Sequence, residues 1–261
     1  MEQVIQQSFA KELLQVRIFE NNQIMGVAAA DFVTGKLQEA LRQRGAANLI
    51  LATGASQFLF LESLRKRDID WKKITVFHLD EYKGLSDQHP ASFRKYLKER
   101  ILDLVNPGKV YLINGDAPNL EEEIGRYEAL LKTHPVDVAC IGIGENGHIA
   151  FNDPPVADFN DARLVKVVEL DHACRMQQFG EGWFPSLDDV PSEAVSLTIP
   201  AIMSCKTISC VVPDQRKAAA VYHTLFGEVS TACPASVLRK HPDALLFLDL
   251  PAASLIGEER G

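Results

Sequence analysis

Apolar residues in this chain fall into two alternating patterns, and the alternation itself implies a fold. Short, near-continuous apolar runs occur at 48–52 (NLILA), 74–79 (ITVFHL), 136–143 (VDVACIGI), 207–212 (TISCVV) and 244–248 (ALLFL). Such runs suit parallel strands, because a strand covered by helices on both faces has no side left for water. Between the runs, apolar residues recur at helical spacing. Phe93, Tyr96, Leu97, Ile101, Leu104 and Val105 form one stripe, which predicts a helix over 93–105. Pro90 is expected in its first turn and 106–108 (NPG) at its end. Leu120, Ile124, Tyr127, Leu130 and Leu131 predict a helix over 120–131, and residues 214–225 another after the strand at 207–212. No repeat, low-complexity tract or linker interrupts this order. The expectation is a single α/β domain over 1–261: a doubly wound, mostly parallel sheet with helices on both faces, Rossmann-like. In that architecture ligands sit beyond the carboxyl ends of the strands, where the strand order reverses.

Three loops after strands therefore matter most. Thr53, Gly54, Ala55 and Ser56 lie between a strand and an apolar-striped segment. A glycine and two hydroxyls at a helix start suit a phosphate cradle, and equally a tight turn with a Ser or Thr cap. Asp80 and Glu81 follow the second run. There a carboxylate faces either the ligand crevice, where desolvation suits it to proton abstraction, or plain solvent. The third loop, 142–155 (GIGENGHIAFNDPP), contains G-x-G-x-x-G after a strand. The dinucleotide reading fails, because the prolines arrive before the helix that would hold a pyrophosphate. What is left is a glycine-rich loop presenting Asn146, His148 and Asp153, in which the histidine can move a proton near neutral pH. Two basic residues, Arg175 and Lys217, either bind a phosphate or are surface charges.

Composition narrows the chemistry. With 27 Lys and Arg against 35 Asp and Glu the formal charge is -8, which argues against a nucleic-acid partner. No apolar run approaches the length of a membrane span. Five cysteines without a C-x-x-C pair point to reduced thiols. Residues 1–4 (MEQV) show no basic start before an apolar stretch, so a cytoplasmic protein is expected. The seven histidines show no metal-ligand spacing, so no metal is expected; neither a Walker loop nor a G-x-S-x-G elbow occurs.

Four segments taken together carry a resemblance: 52–56 (ATGAS), 77–85 (FHLDEYKGL), 142–154 (GIGENGHIAFNDP) and 241–249 (HPDALLFLD). In order and spacing they resemble the glucosamine-6-phosphate deaminase (isomerase) family, which shares its fold with the 6-phosphogluconolactonases. The 150–154 run (AFNDP) and Asp80-Glu81-Tyr82 look like the deaminase branch; lactonases follow the glycine–histidine pair with a Ser-Leu-Phe-Pro type run and carry Asp-Glu-Arg after the second strand. The resemblance implies aldose–ketose isomerisation with deamination of glucosamine 6-phosphate, without a cofactor. It implies Asp80 as the base between C2 and C1, and His148 as the ring-opening residue, oriented by Asn146 and Asp153. Thr53, Gly54, Ala55 and Ser56 match the phosphate loop, with Arg175 and Lys217 as its basic partners. An isomerase or lactonase for another phosphosugar, or a non-catalytic sugar-phosphate sensor, are the rival readings, and a homo-oligomer is left open.

Two departures stand out. The position of Asp153 is usually glutamate, and the shorter carboxylate is expected to reach the histidine through water or to fit a different sugar. Asn146 replaces an aspartate found in part of the family, which should make His148 easier to keep neutral. A mobile lid is expected at about 158–190, with 175–195 longer than is usual.

Overall fold

The computed structural model describes residues 5–257; the tetrapeptide at 1–4, on which the expectation of no leader rests, lies outside them. An antiparallel hairpin, β1 (Ile5–Lys11) and β2 (Leu14–Phe19), leads into α1 (Asn22–Arg44), β3 (Ala47–Leu51) and α2 (Phe58–Leu64). Next come β4 (Ile74–His78), β5 (Asp80–Tyr82), α3 (Phe93–Leu97), a π-helical turn (Lys98–Leu102) and α4 (Asp103–Val105). The chain continues with β6 (Lys109–Val110), α5 (Leu120–Thr133), β7 (Val138–Ile141), β8 (Val165–Glu169) and α6 (His172–Gly180). It closes with β9 (Glu193–Leu197), α7 (Ile199–Met203), β10 (Thr207–Val212), α8 (Ala218–Phe226) and β11 (Ala244–Asp249).

The main sheet has eight strands in the order β1-β2-β11-β10-β7-β3-β4-β6, and every pairing in it except β1 with β2 is parallel. Its inner strands alternate between two cores. Leu49 and Leu51 of β3 face one with α1, while Ile50 and Ala52 face the other. Burial on both faces is why these segments read as continuous apolar runs. From β3 the chain runs outward through β4 and β6, then returns to place β7 on the opposite side of β3. The reversal between β3 and β7 is the point where this class of sheet opens a crevice, and the loops 53–56 and 142–148 leave from its two sides.

Three features differ from the sequence expectation. The β1–β2 hairpin adds an antiparallel edge. β1 alternates polar and apolar residues half in water, so it lacks the buried-strand signature. The segment holding Asp80 does not simply end β4. It starts β5, which joins a second, antiparallel sheet of order β5-β9-β8. The helical stripe at 93–105 is continuous in space but passes through the π turn, and its cap is Ser92, whose hydroxyl accepts from Lys95 N. Pro90 therefore precedes the helix. Asn106, in the left-handed region at φ 48°, ends it as expected.

Candidate active site

The cradle comes first. Gly54 takes φ 97°, a conformation open to glycine at little cost, and turns β3 sharply into a short 3-10 turn (Ala55–Gln57) ahead of α2. The turn is held from two sides. Tyr96 Oη of α3 donates to Gly54 O at 2.8 Å, and the buried Gln57 amide donates to Ser56 Oγ at 3.0 Å and Val211 O at 3.3 Å. Thr53, Gly54 and Ser56 line the crevice, and Ala55 lines an adjoining cleft. Lys217, at the start of α8, lines both. Its burial favours the neutral amine, while the nearby Glu145 and Glu181 carboxylates favour the ammonium; burial prevails and the pKa is lowered.

Opposite the cradle stands Asp80. Its carboxyl lines the crevice yet is almost wholly buried. Burial, helped by the charge of Glu81 next to it, raises its pKa to about 8. Glu81 points the other way. Its carboxylate accepts from the backbone N–H groups of Tyr82, Phe93 and Arg94, from Ser92 Oγ and from Arg94 Nε. Adjacent residues on one strand point to opposite sides, so one carboxylate anchors α3 and the other is presented to a ligand.

The third wall is the loop after β7. His148 Nδ1 lies 2.8 Å from Asp153 Oδ1. A neutral ring carrying its proton on Nδ1, toward that carboxylate, keeps its Nε2 lone pair free for a ligand. The shorter Asp153 side chain thus approaches the histidine directly; of the two expectations, a bridging water or a fit to a different sugar, the water is not needed for that approach. Asp153 is fully buried; burial opposes its charge, but the His148 contact and the Asn146 amide outweigh it and lower its pKa. Asn146 Oδ1 accepts from His148 N at 3.1 Å, and its Nδ2 donates to Asp153 Oδ1 at 2.9 Å. Asn152, also buried, donates to Ile149 O and Leu197 O and ties the turn to β9.

Sequence reasoning missed what α6 contributes. Gln177, Gln178 and Glu181 line the crevice. Gln178 Oε1 accepts from Tyr82 Oη at 2.8 Å, and Gln177 bridges Glu145 N and the Glu181 carboxylate. Glu181 Oε2 lies 3.8 Å from where a Cβ would stand on Gly54, so a carboxylate hangs over the cradle. Trp183 bonds Glu181 and packs edge-on against Phe58 and Tyr96. The helical spacing at 172–180 could have shown this helix, but nothing in it signals a ligand. Within the stretch expected as a lid, β8 belongs to the small sheet, and α6 with the turn behind it lies over the crevice.

Arg175 is not brought to the cradle. Its Nη2 donates to Leu187 O at 2.8 Å, and it lines neither the crevice nor the cleft. It is directed away from the crevice, holding the segment behind α6 through Leu187. Arg216, beside Lys217, lines the cleft instead.

Among the described residues, His148, Asp153 and Cys174 offer metal-ligand atoms within 4.8 Å of one another. They are engaged with each other. The Cys174 thiol is pushed well above its usual range, by burial first and then by Asp153, which opposes the thiolate that a soft metal takes. All five cysteines are free thiols and buried. No helix among the described residues is long and apolar enough to cross a membrane.

Comparison with known proteins shows the family and the fold. The sequence pattern of the glucosamine-6-phosphate isomerases/6-phosphogluconolactonase family matches residues 20–247. The chain is 37% identical over 222 residues to a glucosamine-6-phosphate deaminase of Exiguobacterium sibiricum, covering 85% of this chain and 86% of that one. A solved monomeric glucosamine-6-phosphate deaminase superposes with a TM-score of 0.84 at 33% identity, covering 92% of this chain and 99% of that one. A 6-phosphogluconolactonase from Shewanella baltica shares the fold, with a TM-score of 0.75 at 18% identity over 93% of this chain and all of that one.

Proposed function

Because this chain belongs to the glucosamine-6-phosphate isomerase/6-phosphogluconolactonase family, we propose that it converts glucosamine 6-phosphate and water to fructose 6-phosphate and ammonium. The observation that carries the reading is that Asp80 and His148, the latter backed by the buried Asp153, line one crevice with Thr53, Gly54, Ser56 and Lys217.

The order of steps follows from the acidity of the substrate. The C2 hydrogen becomes removable only once C1 is an aldehyde, so the ring opens first. His148 Nε2, backed by Asp153, exchanges the proton between O1 and the ring oxygen. Asp80 then takes the C2 proton and returns it to C1, while O1 gains a proton given up by the substrate's own ammonium group, which leaves a C2 iminium. Water adds to that carbon and ammonia departs, taking up a proton as ammonium. General acid–base steps of this kind contribute about 10²–10⁴-fold each. The cradle and Lys217 fix the 6-phosphate, and with it the distance from C1 and C2 to the base. In this reading Asn146 orients the histidine, α6 with its following turn acts as the lid, and the enzyme works in the cytoplasm, where its buried thiols stay reduced.

Ammonium release coupled to fructose 6-phosphate detection tests the proposal. Equal amounts of both are expected, and Asp80→Asn should abolish them while phosphate binding persists. Hydrolysis of 6-phosphogluconolactone with no ammonium from the amino sugar would reject it.

A further inference from the structure

The acid–base pair has a partner on the lid helix. Asp171 is the N-cap of α6, and its two carboxylate oxygens do different things. Oδ1 accepts from Cys174 N at 2.6 Å, closing the first turn of the helix. Oδ2 accepts from Asn146 Nδ2 at 3.2 Å. That same amide nitrogen donates its other hydrogen to Asp153 Oδ1 at 2.9 Å, while Asn146 Oδ1 accepts from His148 N at 3.1 Å. Every hydrogen-bonding group of the Asn146 side chain is thereby used, and its amide cannot flip without breaking three contacts. Cys174, three residues on and on the same face of the helix, sets its thiol against Asp153.

We propose that Asp171 is a positioning residue for the His148–Asp153 pair, and that asparagine stands at 146 because two carboxylates, Asp153 and Asp171, face it. An aspartate at 146 would have no hydrogen to give and would bring a third carboxylate against the other two. With asparagine, one amide satisfies both, fixes the loop that carries His148, and joins that loop to the helix that carries Gln177, Gln178 and Glu181. The aspartate–asparagine difference noted in the sequence is thus one half of a matched pair whose other half lies 25 residues away on α6. As a contribution to catalysis the proposal rests on the deaminase reading above; as a hydrogen-bond arrangement it does not.

The test separates capping from positioning. Asp171→Ser keeps a good N-cap acceptor but removes the oxygen that Asn146 uses. In this variant kcat for glucosamine 6-phosphate should fall about tenfold, with KM within about twofold and the melting temperature unchanged, because the cradle and the cap are intact. Asn146→Asp should lose about a hundredfold in kcat, and adding Asp171→Asn to it should restore about tenfold, since the new amide can donate to the new carboxylate. Wild-type kcat in Asp171→Ser overturns the proposal, and so does a loss that comes with lower melting temperature and higher KM. A double variant no better than the product of the single effects also overturns it. If the wild-type protein releases no ammonium, the functional reading falls and the arrangement is read from the ring 15N resonances of His148. These should move in Asp171→Ser, and identical spectra would reject the positioning role.

Discussion

The imidazole of His148 lies against Gly144, where a β-carbon would come within 2.2 Å of both Cε1 and Nε2. No side chain fits there without displacing the ring from Asp153. Gly144→Ala should therefore cut kcat about a hundredfold while the cradle still binds phosphate. Steady-state kinetics alongside calorimetry with inorganic phosphate checks both halves.

The Asp80 carboxyl sets a pH dependence with two signs. As the base it must be ionised, so kcat/KM should rise with pH toward a plateau above about 8, the value to which burial and then Glu81 raise it. Stability runs the other way. The unfolded chain ionises this group near 3.8 whereas the folded chain keeps its proton up to about 8. Folding thus takes up a proton across that window, and the native state loses stability as pH rises through it. Asp80→Asn removes that cost and should be more stable than the parent at pH 8.5 by about 1–2 kcal/mol, with little difference near pH 4. Thermal melts at both pH values decide it.

Glu181 places a carboxylate over the loop that is to hold a dianion. Glu181→Gln keeps the shape and removes the charge. Inorganic phosphate should bind about three- to tenfold tighter at low salt, with the gain shrinking as ionic strength rises. Unchanged affinity at low salt would show that the carboxylate moves aside before the anion arrives.

Lys217 is nearly buried and lines the crevice beside Ser56. Lys217→Met should raise KM about 10- to 100-fold with a smaller effect on kcat, because the phosphate is remote from the reacting carbons. The same change should raise the melting temperature slightly, since a buried ammonium is replaced by an apolar chain of similar length.

Much of this arrangement was legible in the sequence, and the gaps have physical causes. The parallel strands declared themselves through runs such as 207–212, which returns as β10 with the same bounds. Thr53, Asp80, His148 and Asp153 were legible because strand ends in this architecture are few and each loop held an unusual residue set. The small sheet was hidden, because β5 is three residues long and carries charge. Arg175 was misdirected for a related reason. Its charge suited a phosphate, but which face of α6 it occupies depends on contacts with 187 that no local pattern encodes. Asp171 was invisible, since its partner lies across the fold.

The reacting groups do not share one sheet. The phosphate loop and the loop of His148 spring from the eight-stranded sheet with its two large cores, whereas Asp80 belongs to β5 of the small sheet. That sheet packs partly on a smaller core built around Tyr82, Phe93, Phe151 and Phe184, and joins the large core through Val165, Val195 and Leu197. The smaller unit has less apolar surface to hold it, so on heating it should open first. Activity would then disappear several degrees before the far-ultraviolet circular dichroism changes, and return on cooling. The thermal limit of activity would then be set by how long the small sheet holds Asp80 against the crevice, not by the melting of the large sheet.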